Sequence, residues 1–411
     1  MRRHLPEALR NRELARLLLA IVTGGLAQQM VAVAIGWQVF AIHRSPFDLG
    51  LIGLAEFLPV PLLALPAGQI ADRLPRTLVG AASLAAGAVV TALLLVVSES
   101  GAHKLWPFLA LAAASGVAAA FANPATRSLP PQLVPPELLP GALALRSVGF
   151  QIAAVGGPAV GGVLFAVSPN AVYGVGTALN VAAFLAIASM RRASVAPRAS
   201  TDQAPGLRSL LLGIRFVRDT RIILGAITLD LFAVLFGGSV ALLPLFARSI
   251  LHTGPIGLGV LRSATAVGAL VGGLQLARRP MGGRAGRKLL LVVGAFGVCM
   301  VVFGLSRWFP LSFAALAVSG YVDMFSMNIR STVVALATPN ALLGRVNAVE
   351  GVFIGASNEL GAFESGAAAA LIGAVPAVAI GGAITIALAL VWRHLFPPLA
   401  AVDRLEDIRP G

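Results

Sequence analysis

Long apolar runs, each about the length of a membrane crossing, alternate with short polar turns along this chain. A helix needs about 20 apolar residues to cross the hydrocarbon core. Runs of that size fall at 17–42, 48–70, 77–98, 105–127, 142–166 and 171–190. They recur at 222–247, 255–277, 289–306, 309–329, 346–371 and 375–396. The pattern predicts an all-α polytopic membrane protein of twelve transmembrane helices. Its least marked boundary lies at Val375-Pro376. The first run, Leu17 to Ile42, carries no charge. It exceeds the roughly 7–15 apolar residues of a signal peptide, so it reads as an uncleaved first span.

One long polar connector, 191–221, divides the spans six and six. The expected organisation is therefore a first half over 1–190, a linker over 191–221, a second half over 222–396 and a tail over 397–411. Within the linker, Leu207, Leu211, Ile214 and Val217 recur at helical spacing, with Arg208, Arg215 and Arg218 available to the polar side. That periodicity predicts an amphipathic helix on the inner membrane surface. The halves also resemble one another. At a displacement of 203 residues, Arg127, Ser128, Leu133, Pro136, Leu139, Gly141, Phe150 and Ala153 fall on identical residues from Arg330 to Ala356. Two six-helix halves in parallel repeat are one of the architectures of membrane transporters.

Composition agrees with the pattern. The chain is 57% hydrophobic and 12% charged, against about 25% charged for soluble domains. The net charge of +14 is not arranged as a basic stripe with interleaved aromatics, so no nucleic-acid partner is expected. Instead, 26 of the 31 basic residues fall in segments on one side of the predicted topology. By the positive-inside rule that side is cytoplasmic and holds both termini.

Chemistry is sparse. Cys299 is the single cysteine, and His4, His43, His103, His252 and His394 lie at or beyond helix ends without ligand spacing. No metal site, catalytic group or cofactor is expected. Gly282 to Lys288 resembles a phosphate loop weakly, but Leu289 stands where a magnesium-binding hydroxyl belongs. An ion gradient, not ATP, is the expected energy source.

Two motifs carry a family resemblance. After the second span the chain reads Gly68-Gln69-Ile70-Ala71-Asp72-Arg73-Leu74-Pro75-Arg76. This is similar to the signature loop of the major facilitator superfamily, although Thr77 stands where many members carry a further basic residue. The resemblance implies a gating cluster of Gly68, Asp72, Arg73 and Arg76 that latches the two halves. The fifth span carries Gly156-Gly157-Pro158-Ala159-Val160-Gly161-Gly162. It resembles the core of the family's antiporter motif and implies a kink at Gly157, Pro158, Gly161 and Gly162. Further stretches are similar to the branch that contains the enterobactin exporter and macrolide efflux proteins. They are Asn123 to Arg127, Asp323 to Arg330, Gly344-Arg345-Val346, Ser357 to Gly361 and Glu364-Ser365-Gly366. That branch implies proton-driven export of a bulky amphipathic small molecule, such as a siderophore or drug, across a bacterial inner membrane.

A charge at mid-bilayer costs at least about 2.5–3.5 kcal/mol on insertion scales, so intramembrane ionisable residues tend to serve function. Glu56, Asp230, Asp323 and Glu359 are the proton-coupling candidates, and Arg127, Arg146, Arg262 and Arg330 their charge partners. Structural ion pairing is the plainer role for each. Many proton antiporters of the superfamily carry an arginine within span four, whereas Leu109 to Ala120 has no charge here. Trp37, Phe40, Phe57, Phe232, Phe236, Phe325 and Phe353 could line a pocket or simply pack. An importer or uniporter of a small metabolite is the alternative activity. A monomer meets every expectation.

Overall fold

The structure is a computed structural model that describes residues 11–127, 129–190, 207–279 and 282–408. Within its helices some side chains also lie outside the described residues, those of Gly68, Asp72 and Arg127 among them. All regular structure in the described residues is helical.

Span one is Arg12–His43, and span two is Pro46–Phe57 continued by Pro59–Arg73. Spans three to six are Arg76–Glu99, Trp106–Arg127, Leu139–Val167 and Pro169–Ala188. Span seven is Arg221–Ile250, and span eight is Gly254–Arg278. Spans nine to twelve are Ala285–Leu305, Phe309–Ala337, Asn340–Ile372 and Ala374–Leu395. Ten of these are long and apolar enough to cross a membrane, and Trp106–Ala122 adds a shorter apolar helix. Span eleven is 33 residues long, but Glu350, Glu359 and Glu364 dilute its hydropathy. Every predicted span thus has its helix.

The differences from the pattern have local causes. Span ten runs to Ala337 and span eleven starts at Asn340, beyond the predicted limits, because a helix outlasts the hydrocarbon once its flanking residues turn polar. Pro339 separates them, leaving Thr338 extended as pre-proline residues prefer. Span two breaks at Leu58, where Pro59 supplies no N–H and its ring crowds the preceding turn. Span seven breaks after Gly237, with Gly238 extended, and resumes as short 3-10, α and π turns. The Ser365 hydroxyl donates to the freed Gly238 carbonyl. Spans eleven and twelve part at Gly373, whose φ of +89° favours glycine.

The chain divides into two compact units by contact. One comprises Met1–His43, Ala55–Ala204 and Gly254–Ser263, the other Arg44–Leu54, Pro205–Thr253 and Ala264–Gly411. Between membrane helices there is little hydrophobic driving force, so small residues that allow close backbone approach decide packing. The same crossing appears in each unit. In the first, a Cβ on Gly162 of span five would come within 2.6 Å of the Pro255 carbonyl oxygen and 3.0 Å of Gly259 Cα in span eight. In the second, a Cβ on Gly366 of span eleven would come within 2.8 Å of the Pro46 carbonyl oxygen and 2.9 Å of Gly50 Cα in span two. The turns leading into those prolines both carry a left-handed non-glycine residue, Arg44 (φ +54°) and His252 (φ +52°).

Polar links stitch the first unit. The fully buried Tyr173 donates to Gln38 Oε1 (2.7 Å), Gln38 Nε2 to Ser98 Oγ (3.2 Å), and Ser98 to Asn170 Oδ1 (2.7 Å). This chain joins spans one, three and six. In the second unit, Asp403 of the tail accepts from the Arg284 N–H at 2.7 Å. The backbone carbonyls of Asp403 and Val402 accept from Ala285 and Gly286, the first residues of span nine. These bonds satisfy amides that a helix start leaves without partners.

The linker helix is Leu207–Asp219, as its periodicity predicts. Its packed face differs in part. Val217 is buried with Ile223, Val334 and Val349, and Gly213 lies against the Arg345 carbonyl of span eleven. Leu211, Leu212 and Ile214 remain exposed.

Three outcomes are expected from thermal unfolding of purified protein. Gly366→Val and Gly162→Val each lower the midpoint, by at least the ~1–3 kcal/mol typical of overpacking, because backbone atoms cannot step aside. Gly344→Ala, with nothing within 4 Å of its Cβ position, leaves it unchanged or higher. Asp403→Ala destabilises by about 1 kcal/mol, the usual value of a lost helix cap.

Candidate functional site

The strongest concentration of charge lies within the second unit, between spans seven and ten. Asp323 and Arg330 are seven residues apart on span ten, so they share a helix face within about 20°. Ser326 lies between them on that face. From span seven comes Asp230, which accepts a hydrogen bond from Arg330 Nη1 and forms a salt bridge with it. The two side chains are 9% and 6% exposed respectively. Arg330 Nε is also buried and has no acceptor among the described residues.

Asp323 is placed differently. It is half-buried, and it interacts electrostatically with Arg330 and Asp230 without reaching either as an ion pair. Asp230, Asp323 and Ser326 line a cavity of about 20 Å³, walled by Ala233 and Val234 of span seven and Val292, Val293 and Phe296 of span nine. A space of roughly 10–15 Å³ on this measure holds one water. Glu350 of span eleven interacts electrostatically with Arg330 and Asp230. Three carboxylates therefore lie within electrostatic reach of one guanidinium, whose single charge can balance only one of them.

The other expected residues fall elsewhere. Within the first unit, Glu56 interacts electrostatically with Arg262. Its backbone lies so close to span four that a Cβ on Gly116 would come within 1.9 Å of the Glu56 carbonyl oxygen. Arg146 is half-buried on span five. Glu359 lies on span eleven, its Oε2 3.2 Å from where a Cβ on Gly53 would stand. Of the gating cluster, Arg73 is exposed at the end of span two and Arg76 opens span three; Gly68 and Asp72 lie outside the described residues, as does the Arg127 side chain. Span five runs as one helix through Pro158. Its glycines face neighbours closely: Cβ atoms on Gly157 and Gly161 would meet Gln29 Cβ at 2.5 Å and Met30 Cα at 2.9 Å on span one.

Among the aromatics, Trp37 and Phe40 are buried in the first unit, and Trp37 meets Phe165 edge-on. Phe232 packs against Trp392, and Phe353 against the Val217 cluster. These act as packing. Sequence reasoning missed Ser326 and the span-nine wall. Ser326 was within reach, three residues from Asp323 on the same face. Val292, Val293 and Phe296 carried no signal beyond their apolarity.

An all-helical chain with ten helices apolar enough to cross a membrane among its described residues, glycine crossings and an ion pair buried between spans has the features of a transporter of the major facilitator type. The chain belongs to the family described as transmembrane secretion effector, which it matches over residues 7–408. It is 28% identical over 398 residues to the enterobactin exporter EntS of Citrobacter koseri, covering 94% of this chain and 92% of that one. It is 27% identical over 365 residues to the multidrug efflux pump Tap of Mycolicibacterium fortuitum, covering 85% and 87%. Among solved structures, the nucleoside transporter NupG superposes with a TM-score of 0.70 at 15% identity, covering 93% and 99% of the two chains. A bacterial homolog of the human lysosomal transporter Spinster, inward-facing and occupied, superposes with a TM-score of 0.69 at 14% identity, covering 94% and 95%. Those two likenesses concern the fold.

Removing one member of a buried ion pair strands the other charge, at about 3–5 kcal/mol. Asp230→Asn and Arg330→Gln are each expected to lower thermal stability by that order. The double variant should recover most of the loss. Additive losses in this cycle would show that the pair does not hold the helices together.

Proposed function

We propose that this protein is a proton-coupled exporter, an antiporter that moves a bulky amphipathic small molecule such as a siderophore or drug out of the cell. It works in a bacterial inner membrane, as a monomer with both termini in the cytoplasm, and needs no cofactor. The observation that carries coupling is the buried Asp230–Arg330 pair with Asp323 beside it on a water-sized cavity. A carboxylate that shares its guanidinium with another, in apolar surroundings, is a place where a proton can be taken up and released. Support for the direction of transport comes from the relatives: one is named as an enterobactin exporter, the other as a multidrug efflux pump.

In this reading the halves 1–190 and 222–396 alternate access around the substrate, and the linker 191–221 keeps them joined. Gly68, Asp72, Arg73 and Arg76 latch the halves on the cytoplasmic side. The glycines and Pro158 of span five let that helix slide closely against its neighbours. Of the remaining charges, Glu56 with Arg262 and Glu359 beside Gly53 form further coupling candidates, and Arg127 and Arg146 serve as partners.

The test uses everted membrane vesicles with an acidified interior and a dye that reports the gradient. Catecholate siderophores and lipophilic cations are added one at a time. Proton efflux triggered by one compound, and lost in Asp72→Asn, is the expected outcome. Flux that ignores the proton gradient in folded protein would overturn antiport and favour an importer or uniporter.

A further inference from the structure

We propose that Asp323 is the group that takes up and releases the proton, while Asp230 stays engaged as the fixed partner of Arg330. The assignment deepens the antiport reading and rests on it for its role in transport.

Two observations separate the two aspartates, and two more show what lies open to Asp323. Arg330 donates to Asp230, and both side chains are at least nine-tenths buried. Asp323 makes no ion pair among the described residues, although it sits within electrostatic reach of the same guanidinium. With Asp230 and Ser326 it lines the cavity, so a water has room beside its carboxylate, the one not taken up by an ion pair. Finally, Arg330 Nε remains buried without an acceptor. A buried donor left without an acceptor is unfavourable. The guanidinium therefore holds a spare donor for a second carboxylate. Side chains on a helix lean toward its N-terminus, which carries the Arg330 head back toward Ser326 and Asp323.

The step is simple in its balance. A hydronium in the cavity gives its proton to an Asp323 carboxylate oxygen; an O–H bond forms and water is left. Release is the reverse, and the ionised carboxylate then has the spare Arg330 donor to turn to. The charged groups around Asp323 are Arg330 on its own helix, Asp230 from span seven and Glu350 of span eleven, which reaches Arg330 and Asp230. Span nine presents Val292, Val293 and Phe296 to the cavity and no charge.

Full-length protein in lipid nanodiscs tests this by infrared difference spectroscopy between acidic and alkaline buffer, reading the carboxylic-acid C=O stretch. A component present in the wild type should vanish in Asp323→Asn and move in frequency in Asp323→Glu. Gradient-driven uptake of a catecholate siderophore into everted vesicles is followed in the same variants and should fall to the passive rate in Asp323→Asn. An unchanged spectrum in either variant overturns the assignment, whatever transport does. If the component behaves as expected but wild-type uptake ignores the gradient, antiport fails and the protonation site stands. Should Asp323→Asn fail to fold, the frequency shift in Asp323→Glu decides alone.

Discussion

The arrangement of the second unit depends on one buried ion pair, Asp230 with Arg330. Two charges withdrawn from water are tolerated only with close geometry and further polar contacts. The pair fixes how span ten lies against span seven. With Arg330 held there, two turns of helix carry Asp323 to the cavity wall. The break in span seven at Gly238 falls eight residues beyond Asp230, and span eleven closes on it. Ser365 binds the Gly238 carbonyl, and Gly361 lies against the Val234 carbonyl, its Cβ position 2.9 Å away. Glu350 reaches the cluster from the other end of that same span.

Where charge does not set the packing, glycine does. Gly162 against Pro255 and Gly259, and Gly366 against Pro46 and Gly50, are the same contact made twice. The sequence displacement between the equivalent prolines is 209 residues, whereas the region from 127 to 153 repeats at 203. Insertions between spans have shifted the register, so sliding the chain at one displacement cannot reveal this crossing. Its recurrence shows that duplication is kept in backbone approach, which tolerates only the smallest side chain, more faithfully than in residue identity.

The spans were legible because a hydrocarbon core demands runs of about 20 apolar residues whatever their tertiary partners. The linker helix was legible for a similar reason, since Leu207 to Val217 keep one period. Its packed face was only half legible: Gly213 and Val217 meet span eleven, while Leu211 and Ile214 do not. Periodicity gives a face but not what covers it. The site was legible as a set of rare intramembrane charges, not as pairs. Nothing in spacing says that Arg330 chooses Asp230 over Asp323, because that choice depends on how spans seven and ten cross. Likewise the glycine-proline segment of span five invited a kink. Pro158 lies inside one continuous helix, and the glycines around it stand close to spans one and eight.

The repeat also bears on why Asp323 is there. At the displacement of 203 residues Arg330 falls on Arg127, but Asp323 falls on Ala120. Ala120 is buried in span four, 6% exposed, and Trp106–Arg127 itself carries no acid. The scaffold therefore builds the equivalent helix without a carboxylate. An intramembrane charge costs at least about 2.5–3.5 kcal/mol on insertion scales, and Ala120 shows that folding does not require it. The arginine is thus repeated in the sequence at this displacement, whereas the aspartate is not. Asp230 answers a structural need, since Arg330 would otherwise be buried alone. Asp323 has no such pair among the described residues, and it shares with Asp230 a cavity with room for water.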